Sequence, residues 1–212
     1  PEEPSPTAKS PRKRANFFSD LVDQIVKAEV LLVTEDGEPF AYDEKLGYYQ
    51  PVPQLTAWLA NFFPEITTRS LLANDLREIA QRLTWRKDLQ CKRDEFNRSK
   101  ELVNLENGVF NLETGELLEH DPRFRFTYQA KASYLQDPES INCPAFEEFC
   151  RSSLDGDPQK RQLLLEIVGY ICSDLTTGKC AFFLQGQPNS GKSVISEFVG
   201  KLFDPSLVSN IP

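Results

Sequence analysis

Residues 181–203 form an uninterrupted series: an apolar run, a glycine-bounded turn and an amphipathic helix. Ala181-Phe182-Phe183-Leu184 is a short continuous apolar stretch, the pattern of a strand buried on both faces. Val194, Ile195, Phe198, Val199, Leu202 and Phe203 recur at helical spacing. Between them lies Gly186-Gln187-Pro188-Asn189-Ser190-Gly191-Lys192-Ser193, which fits G-x-x-x-x-G-K-[ST]. The bare pattern arises by chance in roughly 1% of chains this long at ordinary residue frequencies. The apolar run before it and the helix after it lower that several-fold, so residues 179–212 read as the first strand, phosphate loop and helix of an α/β P-loop domain.

The residue types answer a chemical need. A triphosphate carries several negative charges, and a helix N-terminus offers N–H donors and about half a positive charge. Gly186 and Gly191 let backbone amides turn inward with no Cβ in the way. Gln187, Pro188, Asn189 and Ser190 complete the cradle, with Pro188 stiffening it at the loss of one donor. Lys192 is the catalytic cation that reaches the β- and γ-phosphates, and the Ser193 hydroxyl ligates Mg²⁺. ATP and Mg²⁺ are the expected cofactors.

Upstream, the reading is of an α+β region. Residues 1–15 hold four prolines and few large apolar side chains, a linker composition expected to stay disordered. Phe17, Phe18, Leu21, Val22, Ile25 and Val26 predict a helix with Asn16 as its N-cap. Val30 to Val52 runs in short aromatic and β-branched stretches around Asp36-Gly37 and Leu46-Gly47, a small antiparallel meander. Helices are predicted over Leu55–Phe63 and Leu72–Leu83, with a turn at Pro64. Asn107-Gly108 and Thr114-Gly115 mark a second hairpin unit. Helices then follow Pro144 and Asp157-Pro158, the latter running to Leu175 and so apolar that deep packing is expected. The region 16–178 is taken as one α+β domain of helices and small antiparallel hairpins, and 179–212 as an incomplete P-loop domain.

Composition limits the alternatives. The 212 residues carry a formal charge of −8, with 40% hydrophobic and 26% charged side chains, as in ordinary globular proteins. No apolar run approaches the roughly 18 residues of a membrane helix, and the N-terminus has no leader pattern. Five scattered cysteines without a CxxC read as reduced core thiols in a cytoplasmic protein, and the single His120 as a turn residue. The absence of methionine and the ending at Ile211-Pro212 suggest a piece of a longer protein.

Against the acidic total, Arg82 to Lys100 holds seven cations and three acids. Arg82, Arg86, Lys87, Lys92 and Arg93, with Trp85 among them, could contact phosphates and stack a base, as single-strand binders do. The competing reading, a solvated face with internal ion pairs to Asp88, Asp94 and Glu95, is favoured.

The order LVNLENGVFNLETGELLEHDPRFRFT, CPAFEEFC, LLLEIVGYICSDL and FFLQGQPNSGKSVISEFVGKLF is similar to the phage and plasmid primase-helicases of helicase superfamily III, including the poxvirus-type N-terminal domain. The hairpin Asn107 to Leu117, Asp121-Pro122 and Gly169-Tyr170 carry the resemblance, which covers about residues 100–205 well and 16–99 loosely. The loop departs from the family's G-x-G-x-N-G-K-S: Ser190 holds the asparagine slot, and Pro188 replaces a glycine, a proline that viral initiator helicases of the same superfamily often carry in that loop. The resemblance implies that residues 16–178 are a helicase-associated N-terminal domain and 179–212 the start of an ATPase/helicase domain. It implies an ATP-driven ring, usually hexameric, acting on single-stranded or forked DNA in replication, sometimes with a primase domain in the same chain. The Walker B acids, sensor and arginine finger belong farther downstream in such proteins, so these 212 residues are expected not to hydrolyse ATP at a useful rate. A non-catalytic oligomerisation or DNA-docking module and a P-loop ATPase of another motor class remain alternatives.

Overall fold

The computed structural model describes residues 11–62, 73–137, 141–173 and 178–209. The turn expected at Pro64, the end of the long helix at Leu175 and residues 1–10 lie outside them. The chain divides into two compact units, Pro1–Phe96 and Asn97–Pro212. That division falls inside the stretch 16–178 and groups residues 179–209 with 97–173.

In the first unit, helix α1 spans Pro11–Lys27, beginning five residues before the expected boundary. Residues 11–15 are therefore helical rather than linker, and Asn16 lies inside α1 instead of capping it. Proline is tolerated in a first helical turn, where its missing N–H has no helical acceptor. The meander forms as expected from β1 (Leu31–Thr34), β2 (Pro39–Asp43) and β3 (Tyr48–Pro51), in the register Leu31↔Ala41 and Ala41↔Gln50. A fourth strand, β4 (Gln90–Cys91), pairs parallel to β1 through Val33↔Gln90, giving the order β3-β2-β1-β4. Two residues are too few to leave a period in the sequence.

Helix α2 (Leu55–Phe62) and helix α3 (Ala73–Trp85) complete this unit. Every residue of β1 is buried because both sheet faces are covered. Leu31 and Val33 join Phe18, Leu21, Ile25, Leu59, Ile79 and Leu83 in the main core. Leu32 faces the other way, with Phe40, Tyr49 and Cys91 against Tyr42 and Phe96. Each fully buried aliphatic side chain contributes about 1.5–3 kcal/mol. The Tyr49 hydroxyl donates to the Glu29 carbonyl at 2.9 Å, tying β3 to the exit of α1.

The second unit opens with a three-stranded antiparallel sheet, β5 (Leu102–Leu105), β6 (Gly108–Asn111) and β7 (Leu117–Leu118). The pairing Leu105↔Gly108 makes Glu106-Asn107 the turn, one residue earlier than the Asn-Gly signal suggests. Gly108 is instead the first strand residue, at φ +148, where a Cβ would lie 2.5 Å from the Leu118 carbonyl oxygen. Buried Asn104 donates through Nδ2 to the Tyr128 carbonyl at 2.8 Å, and its own carbonyl accepts from Ala130 N at 2.9 Å. Asn97 and Thr127 exchange two further bonds of 2.8 and 2.9 Å. His120 is half-buried, with Nε2 2.8 Å from the Leu105 carbonyl oxygen.

Helix α4 (Pro144–Ser153) and helix α5 (Pro158–Cys172) follow. Asp157 caps α5 as expected, accepting from Gln159 N at 2.8 Å. The deep packing expected of α5 is not found: only Leu164 is buried, while Leu163 and Leu165 are exposed. An apolar surface is buried only where another element covers it, and among the described residues α5 is covered on one side. All five cysteines are free thiols; Cys91 and Cys150 fill core positions, whereas Cys143 and Cys180 are exposed. No described helix is long and apolar enough to cross a membrane.

Candidate phosphate-binding loop

Residues 181–184 are not a strand. A strand is stabilised by its ladder, and among the described residues no other strand pairs with this segment, which leaves Phe183 90% exposed. Tyr170 of α5 meets Phe182 edge to face at 5.7 Å. The turn and the helix do form. Helix α6 (Lys192–Lys201) begins where the motif requires, with Gly191 at its N-cap in the left-handed region, φ +83. Asn189, at φ +62, is the other left-handed residue of the turn, a conformation Asn tolerates better than most residues. The Ser190 amide donates to the Gln187 carbonyl at 3.3 Å, and the Ile195 amide donates to Gly191 at 3.1 Å.

The Lys192 side chain folds back over the turn. Its ammonium donates to the Gly186 carbonyl at 3.0 Å and the Gln187 carbonyl at 2.7 Å, with Ser190 Oγ at 3.3 Å. Three oxygens thus hold the cation at the mouth of the loop, above the first turn of α6. The first amides of a helix have no acceptor within it, and the macrodipole makes that end positive. Ser193 stands exposed in that turn, where its hydroxyl can be reached from solvent. Both motif glycines are crowded: a Cβ at Gly186 would lie 2.7 Å from Ser190 Oγ, and one at Gly191 2.8 Å from Phe149 Cε2. A cation, a run of amides and a hydroxyl at one helix N-terminus fit a nucleotide phosphate with its Mg²⁺. Among the described residues no group of His, Cys, Asp and Glu could hold a metal by itself, so the ion would be shared with the phosphates.

The basic segment is largely committed to ion pairs. Arg82, at the end of α3, pairs with Glu78 at 2.8 Å and lies 5.7 Å from the Phe18 ring. Arg86 bonds Asp88 at 2.8 Å and Asp23 at 3.0 Å, and the Asp88 hydrogen bond raises its pKa further. Arg93 holds Asp36 at 3.1 Å and also Glu38, both of which raise its pKa. Two of these acceptors, Asp36 and Glu38, flank the β1–β2 turn, more than fifty residues away in sequence, so spacing on one helix could not have named them. The side chains of Lys87 and Lys92 are exposed and make no ion pair among the described residues, although the Lys92 amide donates to Glu95 at 3.3 Å, and Trp85 is 73% exposed beside them. Sequence reasoning also missed Phe149 and Ser153, whose contact with Gly191 spans about forty residues and leaves no periodic signal.

No curated protein matches the chain. A family model, D5 N terminal like, matches residues 16–154, which run from α1 through α4 and stop short of the loop at 186–193. Because the match covers well over half of the sequence, the chain belongs to the D5 N terminal like family, the N-terminal domain of D5-like primase-helicase proteins.

Proposed function

We propose that the protein is an ATP-dependent DNA helicase of the primase-helicase class, in superfamily III, and that residues 186–193 are its Walker A loop. The observation that supports this most is the Lys192 ammonium, held by the Gly186 and Gln187 carbonyls at the N-terminus of α6. Bound ATP with Mg²⁺ supplies a phosphoanhydride whose cleavage releases the energy for unwinding. The chain's own part is electrostatic: α6 amides and Lys192 neutralise phosphate charge, and Ser193 contributes a metal ligand. Lys192 exchanges weak carbonyl partners for phosphate oxygens, a charge-assisted and stronger interaction.

DNA is the polymeric partner implied by this reading, and self-association into a ring, most simply a hexamer, is part of it. On the first unit, Lys87 and Lys92 with Trp85 offer charge and a stacking face to a single strand; Arg82, Arg86 and Arg93 order the surface through their carboxylate pairs. A P-loop motor of another class would share the loop, but the family membership favours replication. The test is nucleotide-dependent unwinding by the full-length protein. Activity abolished by Lys192→Ala supports the proposal; unwinding that persists in that variant contradicts it.

A further inference from the structure

Gly191 is pressed against α4. A Cβ at that position would lie 2.7 Å from Ser153 Oγ and 2.8 and 3.1 Å from Cε2 and Cζ of Phe149. Phe149 and Ser153 are four residues apart and share one face of α4. That helix is fixed from another direction as well. Arg161 of α5 donates to Glu147 at 2.7 and 3.3 Å and lies 5.6 Å from the Phe146 ring, while Cys150 is buried. Gly191 is the N-cap of α6, so its backbone sets the direction of the helix's first amides and of Lys192.

We propose that Phe149 and Ser153 are positioning residues for the nucleotide phosphates. Together they form a wall that holds Gly191 in its left-handed conformation, so the loop is in its accepting shape before nucleotide arrives. This rests on reading 186–193 as a phosphate loop and adds a part played by the family-matched region, whose match ends at residue 154, just past Ser153. A preformed loop loses less entropy on binding, so removing the wall weakens affinity without removing any group that touches phosphate.

The test compares the 212-residue chain with Phe149→Ala, Phe149→Leu and, as a control at an exposed site on the same helix, Arg151→Ala. Amide hydrogen exchange across residues 186–194 is followed without nucleotide, and affinity is measured with a fluorescent ATP analogue and Mg²⁺. Phe149→Ala is expected to speed loop exchange and raise Kd about tenfold, Phe149→Leu to restore most of both, and Arg151→Ala to change neither. Unchanged exchange and affinity in Phe149→Ala overturn the proposal, as does an equal effect from Arg151→Ala. If the wild type fails to bind the analogue while Phe149→Ala still speeds exchange, the phosphate reading falls and the wall is upheld.

Discussion

The ammonium of Lys192 lies 2.7 Å from the carbonyl oxygen of Gln187, five residues earlier, so the motif's only cation closes the loop across its own mouth. This geometry depends on Gly191, whose φ of +83 turns the chain into α6. For other residues the left-handed region costs about 1–2 kcal/mol, and here a Cβ would also collide with Phe149. Gly191→Ala is therefore expected to lower stability by at least that amount in urea titrations, and to weaken binding of a fluorescent ATP analogue more than Gly200→Ala. The Gly200 site has only a 4.0 Å contact to Val208.

Gly108 makes a comparable prediction for the β5–β6–β7 sheet. Alanine there would bring Cβ within 2.5 Å of the Leu118 carbonyl, at a φ of +148 that L-residues rarely adopt. Relieving that contact separates β6 from β7, with an expected loss of about 1–3 kcal/mol or more. Gly115→Ala, which meets strain at φ +72 but open space, should cost less. Urea midpoints for the two variants measure the difference.

These glycines mark what the sequence could and could not convey. The helix period was legible where one face is buried: Phe18, Leu21 and Ile25 on α1 repeat because the core is on one side, whereas the β5–β6 hairpin, buried at three successive residues of β5, was legible through its turn residues. The two-residue β4 has no period to read. The apolar runs at 163–165 and 181–184 state that burial is favourable, but not what would cover them: both read as buried, yet Leu163, Leu165 and residues 181–184 are exposed and only Leu164 is covered. In the loop, the motif named the residues that bear charge; it could not name Phe149 and Ser153, which meet it only through the fold.

The Glu147–Arg161 pair gives a pH dependence. The hydrogen bond from Arg161 holds the Glu147 carboxyl below its ordinary pKa, with the guanidinium charge acting in the same direction against slight desolvation. A lowered folded-state pKa means the pair stabilises fully above the ordinary carboxylate range and is lost as pH falls through the folded value. Glu147→Gln should lower stability near neutrality and flatten its decline between about pH 5 and pH 3. Chemical denaturation across that range measures the slope; an unchanged acid limb would show that the pair contributes nothing.

Lys87 and Lys92 carry the DNA prediction. If each neutralises one phosphate, replacing both with alanine should reduce the slope of log affinity against log salt by about 1.4 for single-stranded DNA. Quenching of Trp85 by an oligonucleotide should weaken in parallel, since Trp58 is stacked on Phe62 at 4.9 Å. Arg86→Ala and Arg93→Ala, which break ion pairs within the unit, should alter stability more than the salt slope. An unchanged slope in the double lysine variant would remove this surface from the account.

Leu83, fully buried between α3 and the sheet, tests the first unit's core. Leu83→Ala should cost about 2–5 kcal/mol, read as a shift in the urea midpoint. Trp85→Ala, two residues on at an exposed site, should shift it little.

The central claim is that residues 186–193 bind nucleotide phosphate through Lys192. The most direct measurement is equilibrium titration of the 212-residue chain with a fluorescent ATP analogue and Mg²⁺, beside Lys192→Ala verified as folded by circular dichroism. The account predicts saturable binding by the wild type, displaced by unlabelled ATP and lost in the variant. Equal binding by the two proteins, or none by the wild type, would contradict it.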